Sequence, residues 1–257
     1  MTFSLAKWYL DCVTDDGTAV IGYSARLRWG PLRTGYAAIL VSPPSGHPTF
    51  TSTTRATSAP ALDPAGTQLD WQVPRLKVEG CWQRDAEPIG ATLLDGIDWR
   101  SPMPRAQVEL TIAGRRHCGL GYVDHLDLRV PPHRLPFHRL RWGRHLSPSH
   151  HAVWIAWADG LERQWGWCDG RRQSHPRVAD TAVTCDDHSE LRLPSGRELV
   201  DRPVRTLLRP MHALLRLTLA RTVGAMRDHK RVTRSAMHDP GGTMLDHGWT
   251  IDEEVTW

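Results

Sequence analysis

The sequence predicts an all-β protein assembled as antiparallel barrels or sandwiches. Short segments of strand length recur throughout the 257 residues, and turns containing Gly, Pro or Asp separate them at regular intervals. Apolar residues at helical spacing, three and four positions apart, stand out in one late segment. A chain of this length can hold two small domains. We place the boundary near residue 105, which predicts domains at 1–105 and 106–257.

The first half is expected to consist of hairpins joined by turns. Residues 7–13, 18–29 and 34–42 are mostly apolar or alternating, and each segment ends at turn residues such as Asp16-Gly17. A loop rich in Thr, Ser, Pro and Ala follows over 47–67. Beyond it we predict short strands at 70–78 and 79–83 and a connection over 87–98. A crossing at 99–104, which contains two prolines, then leads into the central hairpin.

The second half continues this pattern and adds one helix. Its predicted strands lie at 140–145, 152–158, 161–169, 177–185, 189–193, 229–237 and 244–257. From Leu207 to Val223 the apolar residues recur at helical spacing, and most arginines lie off that stripe. This predicts an amphipathic helix at 210–226 that begins at Pro210. Such a basic helix either rests on a membrane surface or packs on its own sheet.

The central hairpin carries the candidate chemistry. Residues 106–112 alternate apolar and polar side chains, and a Gly-Arg turn at 114–115 leads into a second strand. On that strand Leu120, Tyr122 and Asp124 share one face. If this face lines the inside of a barrel, burial favours the protonated form of the Asp124 carboxyl, which then serves as a general acid. The alternative is that the strand ends at Asp124, which caps a turn.

Charge and hydropathy exclude several classes of function. The net charge of +4 is spread along the chain, so no nucleic-acid partner is predicted. No apolar run approaches the ~20 residues that span a bilayer. The start of the chain lacks the charged and apolar regions of a signal peptide. We therefore predict a cytoplasmic protein, with peripheral contact through the basic helix as its one route to a membrane.

Cysteine and histidine spacing predicts neither a disulfide framework nor a metal site. The five cysteines are scattered and form no CxxC pair, so reduced thiols are expected. Seven of the fourteen histidines lie between His117 and His151, but without HxH or HExxH spacing. The twelve tryptophans either line an apolar cavity, where indole faces stabilise a cation, or pack the core.

Two segments of the central region resemble the carotenoid 1,2-hydratase and AttH-like family, which is related to tocopherol cyclases. They are WRSPMPRAQVE at 99–109 and GLGYVDH at 119–125. The opening strand and turn at 8–17, the segment 142–144 and the closing strand at 248–257 are also similar to that family. The resemblance implies two consecutive lipocalin-like (calycin) antiparallel barrels.

The resemblance also implies roles for individual residues. The proton-donating aspartate of the family corresponds to Asp124, with Tyr122 two residues before it. The tryptophan of an upstream His-x-Trp pair corresponds to Trp99, whereas Ile97 stands at the histidine position. In the family, the segment Asn-Trp-Gly usually follows the Asp-His pair, whereas this chain has Leu-Asp-Leu at 126–128. The implied substrate-binding residues are His125, Trp142 and Arg144.

Two classes of function follow. The first is a cofactor-independent acid–base enzyme, a hydratase, isomerase or cyclase, acting on a hydrophobic isoprenoid- or polyketide-like molecule. In this enzyme Asp124 protonates an alkene, Trp99 stabilises the cation, and Tyr122 positions the acid or water. The second is a non-catalytic lipocalin-like carrier of an apolar ligand, which the replacement of the family histidine by Ile97 favours. A purely structural role, in which Asp124 ties strands together, is a third reading, and none of the three predicts an oligomeric state.

Overall fold

The structure is a computed structural model in which residues 2–54, 58–203 and 226–257 are described. These residues form two compact units, one that ends at Pro131 and one that starts at Pro132. Each unit contains one ten-stranded sheet. Neighbouring strands run antiparallel in both, as in the pairs β1–β2 and β19–β20. The predicted all-β class with two consecutive antiparallel sheets is therefore confirmed.

The first unit is a meander whose first and last strands pair. Its sheet order is β4-β3-β2-β1-β10-β9-β7-β6-β5, and β8 pairs with β9. A short 3₁₀ helix lies at Pro74–Leu76. The strands are β1 (Phe3–Val13), β2 (Ala19–Trp29), β3 (Leu32–Ser42), β4 (Thr49–Thr53), β5 (Ala61–Leu62), β6 (Gln68–Val73), β7 (Val78–Arg84), β8 (Ile89–Leu94), β9 (Ile97–Ile112) and β10 (Arg115–Leu128).

Strand β9 corrects two expectations. The predicted boundary at 105/106 falls inside it, and residues on both sides of that point pair with β10 in the same sheet. The predicted crossing at 99–104 is also part of this strand. Pro102 and Pro104 indicated a break because proline cannot donate a ladder hydrogen bond. In the structure they lie where β9 is irregular, in the gap between the stretches that pair with β8 and β7.

The core of the first unit lies on one face of its sheet. It is built from residues at alternate positions of the strands, among them Leu10, Val20, Trp71, Trp82 and Val123. The indole nitrogen of Trp82 donates a buried hydrogen bond of 2.9 Å to the Asp11 carbonyl. This bond satisfies the one polar atom that the large ring brings into the core.

The two glycines of the central motif allow β1 and β10 to approach closely. A Cβ atom on Gly119 would lie 2.2 Å from the Val13 carbonyl oxygen, and one on Gly121 would lie 2.1 Å from the Asp11 carbonyl oxygen. Both obstacles are backbone atoms, which cannot turn aside as a side chain can. The motif therefore needs glycine at these positions for packing, independently of any chemistry.

We expect Gly121→Ala to lower the free energy of unfolding by about 1–3 kcal/mol, because the added methyl group forces the backbone of β1 to move. Urea denaturation followed by circular dichroism measures this change. Gly241→Ala is the matched control, since its Cβ would meet only the carboxylate of Asp239, at 3.3 Å, in an exposed turn. Equal stability of the two variants would contradict the packing explanation.

The second unit has the same strand arrangement as the first. Its sheet order is β14-β13-β12-β11-β20-β19-β17-β16-β15, and β18 pairs with β19. A 3₁₀ helix at Pro132–Arg134 precedes the first strand. The strands are β11 (Phe137–Leu146), β12 (His151–Gly160), β13 (Arg163–Cys168), β14 (Arg171–Arg172), β15 (Arg177–Val178), β16 (Ala182–Thr184), β17 (Glu190–Arg192), β18 (Arg197–Pro203), β19 (Arg227–His238) and β20 (Met244–Thr256).

A disulfide between Cys168 and Cys185 corrects the expectation of reduced thiols. Cys168 ends β13, near one end of the sheet order, and Cys185 follows β16, near the other end. The side chain of Gln164 in β13 also accepts a 2.9 Å hydrogen bond from the Val178 amide in β15. The two ends of this sheet are thus joined by a covalent bond and side-chain hydrogen bonds.

The predicted amphipathic helix at 210–226 lies outside the described residues, apart from Met226. Within the described parts of the chain, no helix has both the length and the apolar character required to cross a bilayer.

Candidate active site

The candidate active site is a hydrogen-bonded group on β9 and β10 of the first unit. The Tyr122 hydroxyl donates a hydrogen bond of 3.0 Å to Oδ2 of Asp124, and the Trp99 indole nitrogen donates one of 3.2 Å to the same oxygen. All three residues are buried. The structure therefore brings together the three residues that the sequence analysis proposed as catalytic, around one carboxyl group.

The carboxyl group faces away from the core cluster of the first unit. Val123 pairs with Leu10 and belongs to that cluster, whereas Asp124 pairs with Tyr9 on the opposite face. The face that carries Asp124 is therefore not the face that carries this core cluster. Asp124 is nevertheless only 7% exposed and Tyr122 is fully buried, so both polar groups are removed from bulk water.

The pairing between β9 and β10 is irregular on both sides of Tyr122 and Asp124. Register shifts occur between Gly121 and Val123 and again between Val123 and His125, which flank Tyr122 and Asp124. In each interval β9 contains one residue more than β10, and bulges of this kind redirect side chains near functional sites. The Ser101 hydroxyl donates a 2.6 Å hydrogen bond to the Val123 carbonyl and holds the distorted ladder together.

Three residues of β1 and β2 complete the surroundings, and the sequence analysis missed them. The Tyr9 ring lies 6.1 Å from the Tyr122 ring and 5.6 Å from the Tyr23 ring, centroid to centroid. Asp11 pairs with Tyr122 and is 1% exposed. It therefore shares a face with Asp124. These residues lie more than a hundred positions from Asp124 in the sequence. Only the pairing of β1 with β10 brings them to the site, so the sequence alone could not identify them.

His125 does not belong to this group. It pairs with Trp8 on the core face, and the two rings lie 4.4 Å apart, centroid to centroid. Its Nδ1 atom is 3.4 Å from the Asp127 carboxylate. Burial lowers the pKa of His125, and the Arg100 charge acts in the same direction, while Asp127 opposes both. The sequence analysis grouped His125 with Asp124, but successive residues of a strand point to opposite faces.

Trp142 and Arg144 lie on β11 in the second unit. Both are buried, and Arg144 is fully so. The Arg144 guanidinium donates a hydrogen bond of 2.6 Å to the Trp249 carbonyl. Both residues lie on the face of β11 opposite Gly143, which packs on Trp154 of the second core cluster. Their predicted role in substrate binding stays a prediction.

His145, the next residue of β11, forms a buried polar cluster with two hydroxyl groups. Its Nδ1 atom lies 2.8 Å from the Ser235 hydroxyl and 3.2 Å from the Thr250 hydroxyl, and these hydroxyls lie 2.6 Å from each other. Burial lowers the pKa of His145 to about 3, with a smaller effect of the Arg144 charge in the same direction. The imidazole is therefore neutral in the folded protein at neutral pH.

We expect this histidine to make stability depend on pH. The unfolded chain binds a proton near pH 6.5, and the folded chain does so only near pH 3, so stability is lost as pH falls below 6.5. The expected loss from pH 7 to pH 5 is about 2 kcal/mol. Urea denaturation at both pH values measures it. His145→Gln should reduce the difference and exposed His138→Gln should keep it, whereas equal slopes in all three proteins would contradict this assignment.

Two cavities of the first unit lie towards the end of β10, and neither is lined by Tyr122 or Asp124. The larger has a volume of about 720 Å³ and the smaller one of about 330 Å³. Trp99 lines the smaller cavity, and both cavities are lined by Asp98 and Asp127. Both volumes lie within the range of small-molecule sites. Among the residues with described coordinates, no group of three or more His, Cys, Asp or Glu could hold a metal ion.

Comparison with known proteins identifies the fold. No protein-family model and no curated sequence matches the chain. An AttH protein of Nitrosomonas europaea superposes with a TM-score of 0.62 at 10% identity, over 99% of this chain and 92% of that one. CghA bound to Sch210972 gives 0.60 at 12% identity, over 99% and 88% of the two chains. Kievitone hydratase of Nectria haematococca gives 0.55 at 9% identity, over 98% and 88%. The predicted likeness to AttH-like proteins is therefore confirmed at the level of fold.

Proposed function

We propose that this chain, which has the fold of AttH-like proteins, is an acid–base enzyme that acts on a hydrophobic isoprenoid- or polyketide-like small molecule. One observation carries the proposal: a buried carboxyl group, Asp124, accepts hydrogen bonds from two neutral donors, Trp99 and Tyr122. Both of these donors, an indole and a phenol, are uncharged.

The two donors decide where the acid carries its proton. Both hydrogen bonds end on Oδ2, so in the neutral acid the proton is held on Oδ1. The Oδ1–H bond breaks as a new C–H bond forms on one carbon of a substrate alkene. The other alkene carbon becomes a carbocation and Asp124 becomes a carboxylate, which Trp99 and Tyr122 stabilise through the same two hydrogen bonds.

Aromatic rings near the carboxyl group suit the cation formed in this step. Trp99 and Tyr122 contact Asp124, and the Tyr9 ring lies between the rings of Tyr122 and Tyr23 on the same face of the sheet. Ring faces attract cations by about 0.5–2 kcal/mol each. A carbocation can then lose a neighbouring proton to the Asp124 carboxylate, which gives isomerisation or cyclisation and regenerates the acid.

Hydration requires in addition a base that takes a proton from water. Asp11 is a second buried carboxyl on this face, and it lies diagonally from Asp124 in the β1–β10 ladder, where the Cα atoms of such a pair are roughly 7–8 Å apart. In our proposal the reacting carbon and a water molecule lie between the two carboxyl groups. We assign Asp11 the role of this base in a hydration, the reaction named for kievitone hydratase. After the step Asp11 carries the proton and Asp124 is a carboxylate, and proton exchange with water restores both groups before the next turnover.

A carrier of an apolar ligand is the alternative function. It is favoured by Ile97, a buried apolar residue at the position where the resemblance to hydratases implies a histidine. In a carrier, Tyr122 and Asp124 hold a hydroxyl group of the ligand, and the ligand leaves unchanged. The two functions therefore differ in the fate of the bound molecule.

Extraction of the purified protein with organic solvent, followed by mass spectrometry, identifies any apolar compound that it retains. The compound is then incubated with the protein in D₂O. An enzyme that protonates an alkene places one deuterium on carbon in the product, whereas a carrier returns the compound without deuterium. A protein that retains no such compound, and binds none of a panel of isoprenoids and polyketides, would contradict both functions.

A further inference from the structure

Ser101 is a buried polar residue of β9 that the proposed reaction does not use. It is fully buried, and its hydroxyl donates a hydrogen bond of 2.6 Å to the Val123 carbonyl. That carbonyl belongs to the peptide group that joins Val123 to Asp124. The peptide group on the amino side of the candidate acid is therefore held by a side chain of the neighbouring strand.

The irregular ladder explains why a side chain makes this bond. In the second irregular interval, Asp124 of β10 lies opposite two residues of β9, Ser101 and Pro102. Pro102 has no N–H group, so β9 cannot offer a backbone donor at that residue. The Ser101 hydroxyl supplies a donor in the same interval, and it does so at the bulge that carries the candidate acid.

Trp99 and Ser101 contact Asp124 and its peptide group from the same strand. They are two residues apart in a stretch of β9 that pairs regularly with β8, so their side chains share a face. The Trp99 indole nitrogen donates to Oδ2 of the carboxyl group at 3.2 Å, and Ser101 donates to the peptide group before it. Asp124 is thus held by β9 at its side chain and at its backbone.

Holding this peptide group restricts the direction of the Asp124 side chain. A peptide group is planar, so the hydrogen bond to the Val123 carbonyl oxygen restrains the whole plane that joins the two residues. If that plane turned, the Cα–Cβ bond of Asp124 would turn with it and carry Oδ1 away from the bound alkene. We propose that Ser101 is a positioning residue of the candidate active site, whose hydroxyl sets the direction in which Asp124 presents its proton. This inference rests on the proposed function of Asp124 as the acid.

Ser101→Ala is expected to lower kcat about 10-fold to 100-fold on the apolar compound extracted from the purified protein, since a displacement of about 1 Å costs that much at a reacting group. KM should change little, because the Ser101 hydroxyl bonds to the backbone of β10 and leaves ligand binding unaffected. Ser101→Cys keeps a weak donor at nearly the same size. Its kcat should therefore fall between those of the wild type and Ser101→Ala.

A measurement without substrate reports the position of Asp124. In the full chain with isotopically labelled tryptophan, NMR detects the indole N–H signal of Trp99, which Trp99→Phe assigns. Ser101→Ala should move this signal and make its exchange with solvent about tenfold faster, because the carboxyl group no longer stays at hydrogen-bond distance. Ser24→Ala is the matched control, because it removes the hydroxyl of another buried serine in the same sheet. It should leave the Trp99 signal and kcat unchanged.

The two measurements separate this inference from the proposed function. The positioning role is overturned if the Trp99 signal of Ser101→Ala equals that of the wild type, or if Ser24→Ala moves the signal equally. An increase in KM at unchanged kcat also overturns it. If Asp124→Asn retains the turnover of the wild type, the acid chemistry itself fails. The Trp99 signal then decides alone whether Ser101 positions Asp124.

Discussion

Asp124→Asn is expected to reduce turnover about 100-fold to 10,000-fold, the range that general acid catalysis contributes. The carboxamide has nearly the shape of the carboxyl group but cannot deliver a proton to carbon. Both donors that hold Asp124 end on one oxygen, Oδ2. An asparagine with its carbonyl oxygen at that position accepts both hydrogen bonds, so the fold and ligand binding should be retained.

Steady-state assays on the compound recovered from the protein measure this loss, and calorimetry of the same ligand measures binding. Asp70→Asn is the matched control, because it makes the same chemical change at an exposed position of β6 in the same sheet. Unchanged turnover in Asp124→Asn would refute the assignment of Asp124 as the acid. Loss of ligand binding together with turnover would instead assign Asp124 a role in binding rather than in proton transfer.

Removal of the disulfide by Cys168→Ser/Cys185→Ser is expected to lower the free energy of unfolding by about 3 kcal/mol, the value for a closed loop of roughly 15 residues. The cross-link spans 17 positions and joins strands near the two ends of the second sheet. No backbone ladder joins β13 to β16 in this unit's sheet order. Once the bond is absent, side-chain hydrogen bonds such as that of Gln164 and the apolar packing of Trp154 with Val183 still connect these ends.

Urea denaturation with and without a reducing agent tests this prediction. The reduced wild type should match Cys168→Ser/Cys185→Ser, and the variant itself should not respond to the reducing agent. Cys118→Ser is the control, because Cys118 is an exposed free cysteine and its loss should leave stability unchanged. A wild type whose stability is the same in both conditions would contradict a role of the disulfide in holding this sheet together.

The sequence by itself determined the features that depend on neighbouring residues. Alternation of apolar and polar residues placed β2 and β3 within two residues of their observed bounds, because each side of a strand has its own solvent exposure. It also located the end of β1 and the turn of the central hairpin, but it missed the first residues of β1 and the first half of β9. The same alternation put Tyr122 and Asp124 on one face. That is why the candidate acid and its phenol partner could be found without coordinates.

Only the tertiary structure decided the features that depend on pairing between distant segments. Pro102 and Pro104 have the local signature of a break, yet β10 on one edge and β7 and β8 on the other hold them inside one strand. The spacing of Cys168 and Cys185 indicates no bond until the sheet order brings the ends of the second sheet together.

The composition of the site follows the same rule. Tyr9 and Asp11 join Asp124 through the β1–β10 register, and His125 is excluded because it faces the core. Local periodicity is encoded within a few residues, whereas strand register is chosen by the contacts of the whole sheet. The sequence therefore determined which residues form the candidate acid and its first hydrogen-bond partner, and the assembled sheet decided what surrounds them.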